Sequence, residues 1–390
     1  MKSILIVNNI PTPYRNFFYA ELARSLRERD IILTVAFQGQ KGRSHISKYE
    51  VGWDFGNLDF NFRNYFSSIF GYRFKYHSRI SLNLDIFIDI VSSKYDLILA
   101  PPTMSLWNWL YCILPLRGEK ILYNEYHNNG GLEPWLSRKL KRQLYKSFNY
   151  IATPGEKAKN YLVSICPVLL SARNIHLPNI IDEGVFLNDK VQNNRGELLV
   201  KYNLPSNKRI LVGTGIAEYK GRRKLIDEFH KCGIIDGILV LIGGGENLSI
   251  LQKQVGDLNL GNSVFLLGNR SQLEVREILM ASDIFIHSAS SDPSPLAAVE
   301  AGVLGLPLVL TKQTGNHPEL LINKENGYLF DYNDSFSAIL NLVFKVSSDE
   351  LAKFGQKSKE LAFKNFGSKT VVKALTSDLS NILERFENRN

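Results

Sequence analysis

Residues 291–311 read SDPSPLAAVEAGVLGLPLVLT. An apolar run, Leu296–Leu304, follows Ser294-Pro295, carries a single acid at Glu300 and stops at Gly305 and Pro307. Serine is favoured as a helix N-cap and proline at the first helical position, so the pattern predicts a helix beginning at Pro295. Its unpaired amides at Leu296 and Ala297 would favour an anion such as phosphate. A carboxylate among Leu, Ala and Val is costly unless partnered. Either a buried Lys or Arg, or a pair of sugar hydroxyls meeting its two acceptor oxygens, would satisfy Glu300. Asp292 likewise either caps a turn or takes hydroxyls on the other side of the phosphates.

Outward from this stretch the same alternation repeats. Upstream, "DIFIHSAS" (283–290) reads as a strand, as do "RILVGTG", "GILVLIGGG", "VFLLGN" and, downstream, "LPLVLT". Helical patterns at Lys224–Cys232, Leu248–Leu258 and Leu273–Ala281 separate them. In the first half, strands are expected at "ILIVNN", "IILTVAF", "DLILAP", "KILYNEY", "YIATPG" and "IHLPN", with helices such as Tyr14–Arg29 and Leu136–Ser147 between. Apolar strands alternating with helices mean parallel sheets covered on both faces. Two such series predict an α/β chain of two doubly wound domains, 1–182 and 183–371, joined where polarity rises and Asn clusters. A helix at about 372–390 is placed to pack back on the first domain. Ligands of such sheets bind beyond the carboxyl ends of the strands, so two facing edges would make a cleft.

The composition is that of a soluble globular protein, with 44% hydrophobic and 22% charged residues. The net charge of +9 is uneven: residues 1–190 hold 24 Lys+Arg against 16 Asp+Glu, the remainder 23 against 22. The basic half suggests an acidic partner. No helix-turn-helix, zinc-finger or RNA-binding signature argues for nucleic acid; an anionic membrane surface or a lipid-phosphate substrate fits as well, and so does a merely soluble basic surface. The 3 cysteines, Cys112, Cys166 and Cys232, lack metal spacing and read as reduced thiols of a cytoplasmic chain. The longest apolar run, 106–116, is short of the roughly 20 residues that span a bilayer.

Beyond Glu300, "TKQTGNHPELL" and "NKENGYLF" complete a longer pattern. Asp292, Pro293-Ser294-Pro295, Glu300, Gly305-Leu306-Pro307, Gly315, Pro318-Glu319 and Asn326-Gly327 together resemble the acidic-x7-acidic region of family-4 retaining glycosyltransferases of GT-B fold. "LPNIIDEGVF", "ILVGTGIAEYKG" and "LVLIGGGE" resemble that family's linker, Lys-Gly turn and nucleotide loop, in order. The likeness covers about residues 178–330 closely and the first half in outline. It implies two Rossmann-like domains facing across a cleft and a UDP- or GDP-sugar donor. Glu300 would hold the ribose, Asp292 the hydroxyls of the transferred sugar, and Lys220 the diphosphate. Gly215, Gly243, Gly244, Asn269, Ser294, Leu296 and Ala297 would line the rest of the donor site. Retention of configuration by front-face substitution comes with the resemblance. No Asp-x-Asp motif is present and no metal or other cofactor is expected.

Three positions depart from the family. Asp292 replaces a glutamate, Pro293-Ser294-Pro295 replaces a glycine-rich turn, and Thr214 stands where a phosphate-binding arginine is usual. Arg222 or Arg223 could substitute for that arginine, or form a solvated basic patch. In the first half, His127 follows "KILYNEY" and precedes Asn128-Asn129-Gly130-Gly131. By resemblance it lies near the transferred sugar; otherwise it is a loop histidine without a role. Arg15 would reach an acceptor phosphate or serve packing, and Asn129 is a candidate acceptor contact. The aromatic and basic stretch 63–79 would meet a membrane interface, line an acceptor groove or pack on its own sheet. "RKLKRQLYK" (138–146) would be a solvated face or contact anionic lipid. Glu125 and Glu133 make no case for glycosidase chemistry. The acceptor would be a saccharide or lipid-linked saccharide of a cell-surface polymer, met at the inner face of the plasma membrane. Two alternatives stand: a non-catalytic binding subunit of the same fold, and a nucleotide-sugar 2-epimerase.

Overall fold

A computed structural model of the chain describes residues 1–8, 12–38, 58–64, 84–103, 105–127, 134–187 and 194–389. The chain folds as two compact units. The first comprises Met1–Pro154, Ala158–Asn179 and Lys369–Asn390; the second comprises Gly155–Lys157 and Ile180–Ser368.

The first unit holds β1 (Lys2–Asn8), β2 (Ile31–Phe37), β3 (Asn61–Asn64), β4 (Leu97–Ala100), β5 (Glu119–Tyr123), β6 (Tyr150–Thr153) and β7 (Arg173–His176). They form one parallel sheet in the order β3-β2-β1-β4-β5-β6-β7. The last helix, Ser368–Glu387, belongs to this unit. It buries Leu375, Leu379 and Ile382 there, pairs Asp378 with Arg173, and takes a 2.9 Å hydrogen bond between Thr376 Oγ1 and Ser25 Oγ.

The second unit holds β8 (Arg209–Thr214), β9 (Gly237–Ile242), β10 (Val264–Leu266), β11 (Ile284–His287), β12 (Leu308–Thr311) and β13 (Gly327–Phe330). All pair in parallel, in the order β10-β9-β8-β11-β12-β13. Alternate residues supply two cores. Ile210, Val212, Ile238 and Val240 face one, and Leu211, Leu239 and Leu241 the other, as a doubly covered sheet requires. Chain order reverses between β8 and β11, where an open parallel sheet leaves a crevice at its carboxyl edge.

Two strands lie outside the sequence expectation. Asn61–Asn64 is a polar four-residue edge strand, and Gly327–Phe330 is too short to stand out from its loop. One helix start is corrected. The helix behind the opening stretch runs Leu296–Val303, with Pro295 itself as N-cap in extended conformation, so Ser294 is not the cap.

Candidate functional site

The crevice between β8 and β11 is built from the loops that follow those strands. After Thr214 the chain turns at Gly215 (φ +74°) and enters a short 3-10 turn, Glu218–Lys220. Gly221 (φ +66°) follows, and a Cβ there would lie 2.3 Å from the carbonyl of Ser288. Only glycine allows both that left-handed backbone and that approach. The turn is thereby pressed against the end of β11, where Ser290 N donates to Tyr219 O at 2.8 Å and Ser288 Oγ to Lys220 O at 3.0 Å.

Arg222 sits behind this turn, 2% exposed. Its Nε donates to Gly215 O at 2.9 Å, Nη2 to Thr214 O at 2.6 Å and Nη1 to Ser288 Oγ at 3.0 Å. Burial lowers its pKa to about 10, although Asp292 and Tyr219 oppose the shift. It braces the loop that carries Lys220, with its donors engaged on protein oxygens. Thr214 therefore gains no replacement cation from Arg222 in this arrangement.

Lys220 points forward, its Nζ 2.5 Å from Asp292 Oδ2. The same oxygen lies 3.0 Å from His287 Nε2. Burial pushes the Asp292 carboxyl up, but the His287 hydrogen bond and the Lys220 charge overbalance it and hold it well below the usual carboxylate range. The backbone of Asp292 is fixed as well, since Gly315 N donates to its carbonyl at 2.7 Å.

The helix Leu296–Val303 begins beside this group, and no side chain caps it. The amides of Leu296 and Ala297 head a helix N-terminus and attract negative charge. Asn316, buried, donates from Nδ2 to Pro295 O at 3.3 Å and steadies the helix start. One turn in lies Glu300. Its side chain keeps partial solvent access, and among the described residues it has no ion-pair partner. Burial raises its pKa to about 7, with Lys220 pulling the other way. Of the two partners open to it in the sequence, the buried Lys or Arg contact is not made.

The glycines after β9 complete the crevice floor. A Cβ on Gly243 would lie 3.3 Å from Gly215 Cα, and one on Gly244 would lie 2.6 Å from the Asn269 side chain. Gly215, Lys220, Asp292, Gly243, Gly244 and Asn269 are thus brought together, with Glu300, Ser294, Leu296 and Ala297 on the adjoining helix start. Sequence reasoning passed over two participants, His287 and Asn316. His287 reads as one more residue of an apolar strand, and Asn316 as a turn residue. Among the described residues no cluster of three His, Cys, Asp or Glu side chains has metal-holding geometry.

The remaining candidates lie in the first unit. Arg15 is buried, paired with Glu125 and packed 5.6 and 5.7 Å from the ring centres of Phe18 and Tyr123. Its charge is engaged within the unit by Glu125. His127 is buried at the end of the β5 loop, behind a turn in which Asn124 Nδ2 donates to Tyr126 O at 2.7 Å. Asn129, and most of the stretch 63–79, lie outside the described residues. The basic stretch 138–146 falls on the helix Trp135–Tyr145, which exposes Lys139 and Arg142 beside Trp135, Leu136 and Leu140. No helix among the described residues is long and apolar enough to cross a membrane.

Residues 194–361 match the family model described as Glycosyl transferases group 1. A UDP-Gal:alpha-D-GlcNAc-diphosphoundecaprenol alpha-1,3-galactosyltransferase of Escherichia coli is 33% identical over 119 residues, 30% of each chain. A lipopolysaccharide core biosynthesis glycosyltransferase of Rhizobium meliloti is 30% identical over 138 residues, 35% of this chain and 38% of its own. These matches therefore span about a third of the relatives' lengths. An uncharacterized glycosyltransferase of Methanocaldococcus jannaschii is 22% identical across 78% of both chains. Among solved structures, HepE of Anabaena, in complex with UDP and glucose, superimposes with a TM-score of 0.71 at 16% identity, covering 98% of this chain and 100% of its own. Sucrose-phosphate synthase of Thermosynechococcus elongatus gives 0.71 at 14% identity, covering 99% and 100%. At these identities the likeness shows the fold: two Rossmann-like domains of GT-B type.

Proposed function

We propose that this protein is a glycosyltransferase. It takes a sugar from a UDP- or GDP-sugar held by the second unit and passes it to a saccharide or lipid-linked saccharide in the synthesis of a cell-surface polymer. The observation that carries this reading is the convergence at the β8–β11 crevice of Lys220, Asp292, an uncapped helix N-terminus and an unpaired Glu300. The group-1 domain over 194–361 and the relative named in lipopolysaccharide core biosynthesis support it.

The chemistry suits the groups present. Departure of a nucleoside diphosphate builds negative charge, which a fixed ammonium and a helix N-terminus stabilise without reorganising. Glu300 accepts the ribose hydroxyls, and Asp292 those of the sugar being transferred. On this reading the reaction retains the anomeric configuration and needs no metal, so product NMR would show retention and activity would survive a chelator. The acceptor is taken by the basic first unit, with His127 on the sugar side, at the inner face of the plasma membrane.

The first test is thermal stability against UDP, GDP, ADP and CMP, in wild type and Glu300→Ala. A ligand at 100 times its dissociation constant adds about 2.7 kcal/mol. The proposal expects one nucleotide to stabilise wild type and not the variant; no stabilisation by any of them counts against it. Lys220→Ala should lower donor turnover by about 10²–10³-fold.

A further inference from the structure

His287 ends β11 with its imidazole fully buried and its ring nearly parallel to Phe285, at an interplanar angle of 9°. Its Nε2 faces the Asp292 oxygen that also receives Lys220, while its Nδ1 has no hydrogen-bond partner among the described residues. Burial and then the Lys220 charge push its pKa down to about 4, against the pull of Asp292. A neutral imidazole has one N–H, and facing an ionised carboxylate that proton belongs on Nε2. His287 therefore offers Asp292 a hydrogen bond without a charge.

Lys220 offers it a charge that it cannot keep. The ammonium that balances Asp292 in the ligand-free protein is also the cation available to an incoming phosphate. When Lys220 moves to that phosphate, Asp292 loses its counter-charge inside a crevice where an unpaired carboxylate is costly. Aspartate is also one methylene shorter than glutamate, so it has little freedom to seek a new partner. The imidazole stands on a strand and stays.

We propose that His287 is a positioning residue, whose Nε2–H keeps the Asp292 carboxylate aimed when Lys220 is drawn away by the diphosphate of the donor. This rests on the donor-site reading above. Lys220 thus works in two places, and His287 makes the exchange possible. The strand-end histidine acts chiefly on the sugar half of the donor, through Asp292.

Titration calorimetry of wild type, His287→Leu and His287→Gln with UDP, GDP, UDP-glucose, UDP-galactose and GDP-mannose tests the inference. Glutamine places an N–H near the position of Nε2; leucine fills the space without one. Losing a hydrogen bond to a charged group is worth on the order of tenfold to a hundredfold. The expected result is that the leucine variant binds the preferred nucleoside diphosphate less tightly, by under about tenfold, because Lys220 then leaves Asp292 without a partner. It should bind and turn over the matching nucleotide-sugar at least about tenfold less well, and glutamine should restore most of the loss.

An unchanged preference for nucleotide-sugar over nucleotide in the leucine variant overturns the proposal and leaves the donor site standing. So does an equal loss of both ligands that glutamine does not rescue, since that marks a merely structural role. Failure of every nucleotide to bind wild type removes the donor-site reading and the proposal with it. Should the leucine variant not fold, imidazole nitrogen NMR on wild type decides. A neutral ring protonated at Nε2, before and after UDP, supports the proposal, and a charged ring or an Nδ1–H tautomer overturns it.

Discussion

At the scale of single residues, the crevice holds a half-buried and a buried titratable group, Glu300 and His287, whose effects on stability have opposite signs. Glu300 ionises in the unfolded chain near its ordinary pKa of 4.5 but in the folded protein only at about 7. The folded state binds more protons between those values, so stability falls as pH rises through that window. Glu300→Gln removes the loss. The variant should match wild type near pH 4.5 and exceed it at pH 8 by about 2 kcal/mol, a figure discounted for the partial exposure of the carboxyl. His287 runs the other way. Its folded pKa of about 4 lies below the ordinary 6.5, so the unfolded chain takes up the proton first and stability is lost as pH falls from 6.5 towards 4. His287→Gln should flatten that acid limb by about 2–3 kcal/mol at pH 4. Thermal melts of both variants across pH 4–8 check the two slopes. None of this was legible in the sequence. Glu300 stood out as an acid in an apolar helix, but its lack of a protein partner depends on which side chains the fold brings near. Arg222 lay in a charged run that suited solvent or phosphate equally, and only the closed turn around Gly221 puts it inside.

At the scale of elements, the helix Ser348–Phe366 supports the site from behind. Its Gly355 lies so close to the turn ending the Leu296 helix that a Cβ there would sit 2.1 Å from Gly305 O. Gly-to-Ala within a helix ordinarily stabilises by about 0.5–1 kcal/mol. Gly355→Ala should instead destabilise by about 2 kcal/mol or more, because the added carbon meets backbone and not a movable side chain. Chemical denaturation of the variant gives the sign directly. The helix Trp135–Tyr145 makes a different prediction. Among the described residues Lys139, Arg142 and Lys146 have no acidic partner, and Trp135 is 73% exposed next to Leu136 and Leu140. Basic residues near an anionic surface contribute about 1 kcal/mol each. The protein should therefore float with vesicles containing phosphatidylglycerol and not with pure phosphatidylcholine. Charge reversal at Lys139 and Arg142 should abolish the difference; binding that ignores lipid charge would falsify the membrane reading. Strand and helix identities were largely readable at this scale, because apolar runs of four to seven residues alternate with amphipathic stretches. Asn61–Asn64 escaped because it carries a single apolar residue, and Gly327–Phe330 because its short run does not stand out from the loop before it. The Leu296 helix starts one residue late because Pro295 adopts the extended backbone of a cap.

For the whole molecule, the last helix belongs to the first unit although its sequence follows the second. It buries Val371, Val372, Leu375, Leu379, Ile382 and Leu383, and each such side chain contributes about 1.5–3 kcal/mol. At about 9–18 kcal/mol in sum, the burial lost on deleting 369–390 is as large as the typical 5–15 kcal/mol net stability of a domain. Hydrogen exchange on the truncated chain should find the first sheet unprotected and the second still protected. Sequence by itself determined the class of the fold and the loops in which the candidate site gathers. Local hydrophobic periodicity dictates strand and helix, and parallel strands put functional loops at their carboxyl ends. Tertiary structure alone decided which charged groups meet. Lys220, His287 and Asp292 share one oxygen, Arg222 turns inward, and Glu300 is left without a cation. Those outcomes depend on distances of a few ångström between loops far apart in the chain, and no local pattern records them.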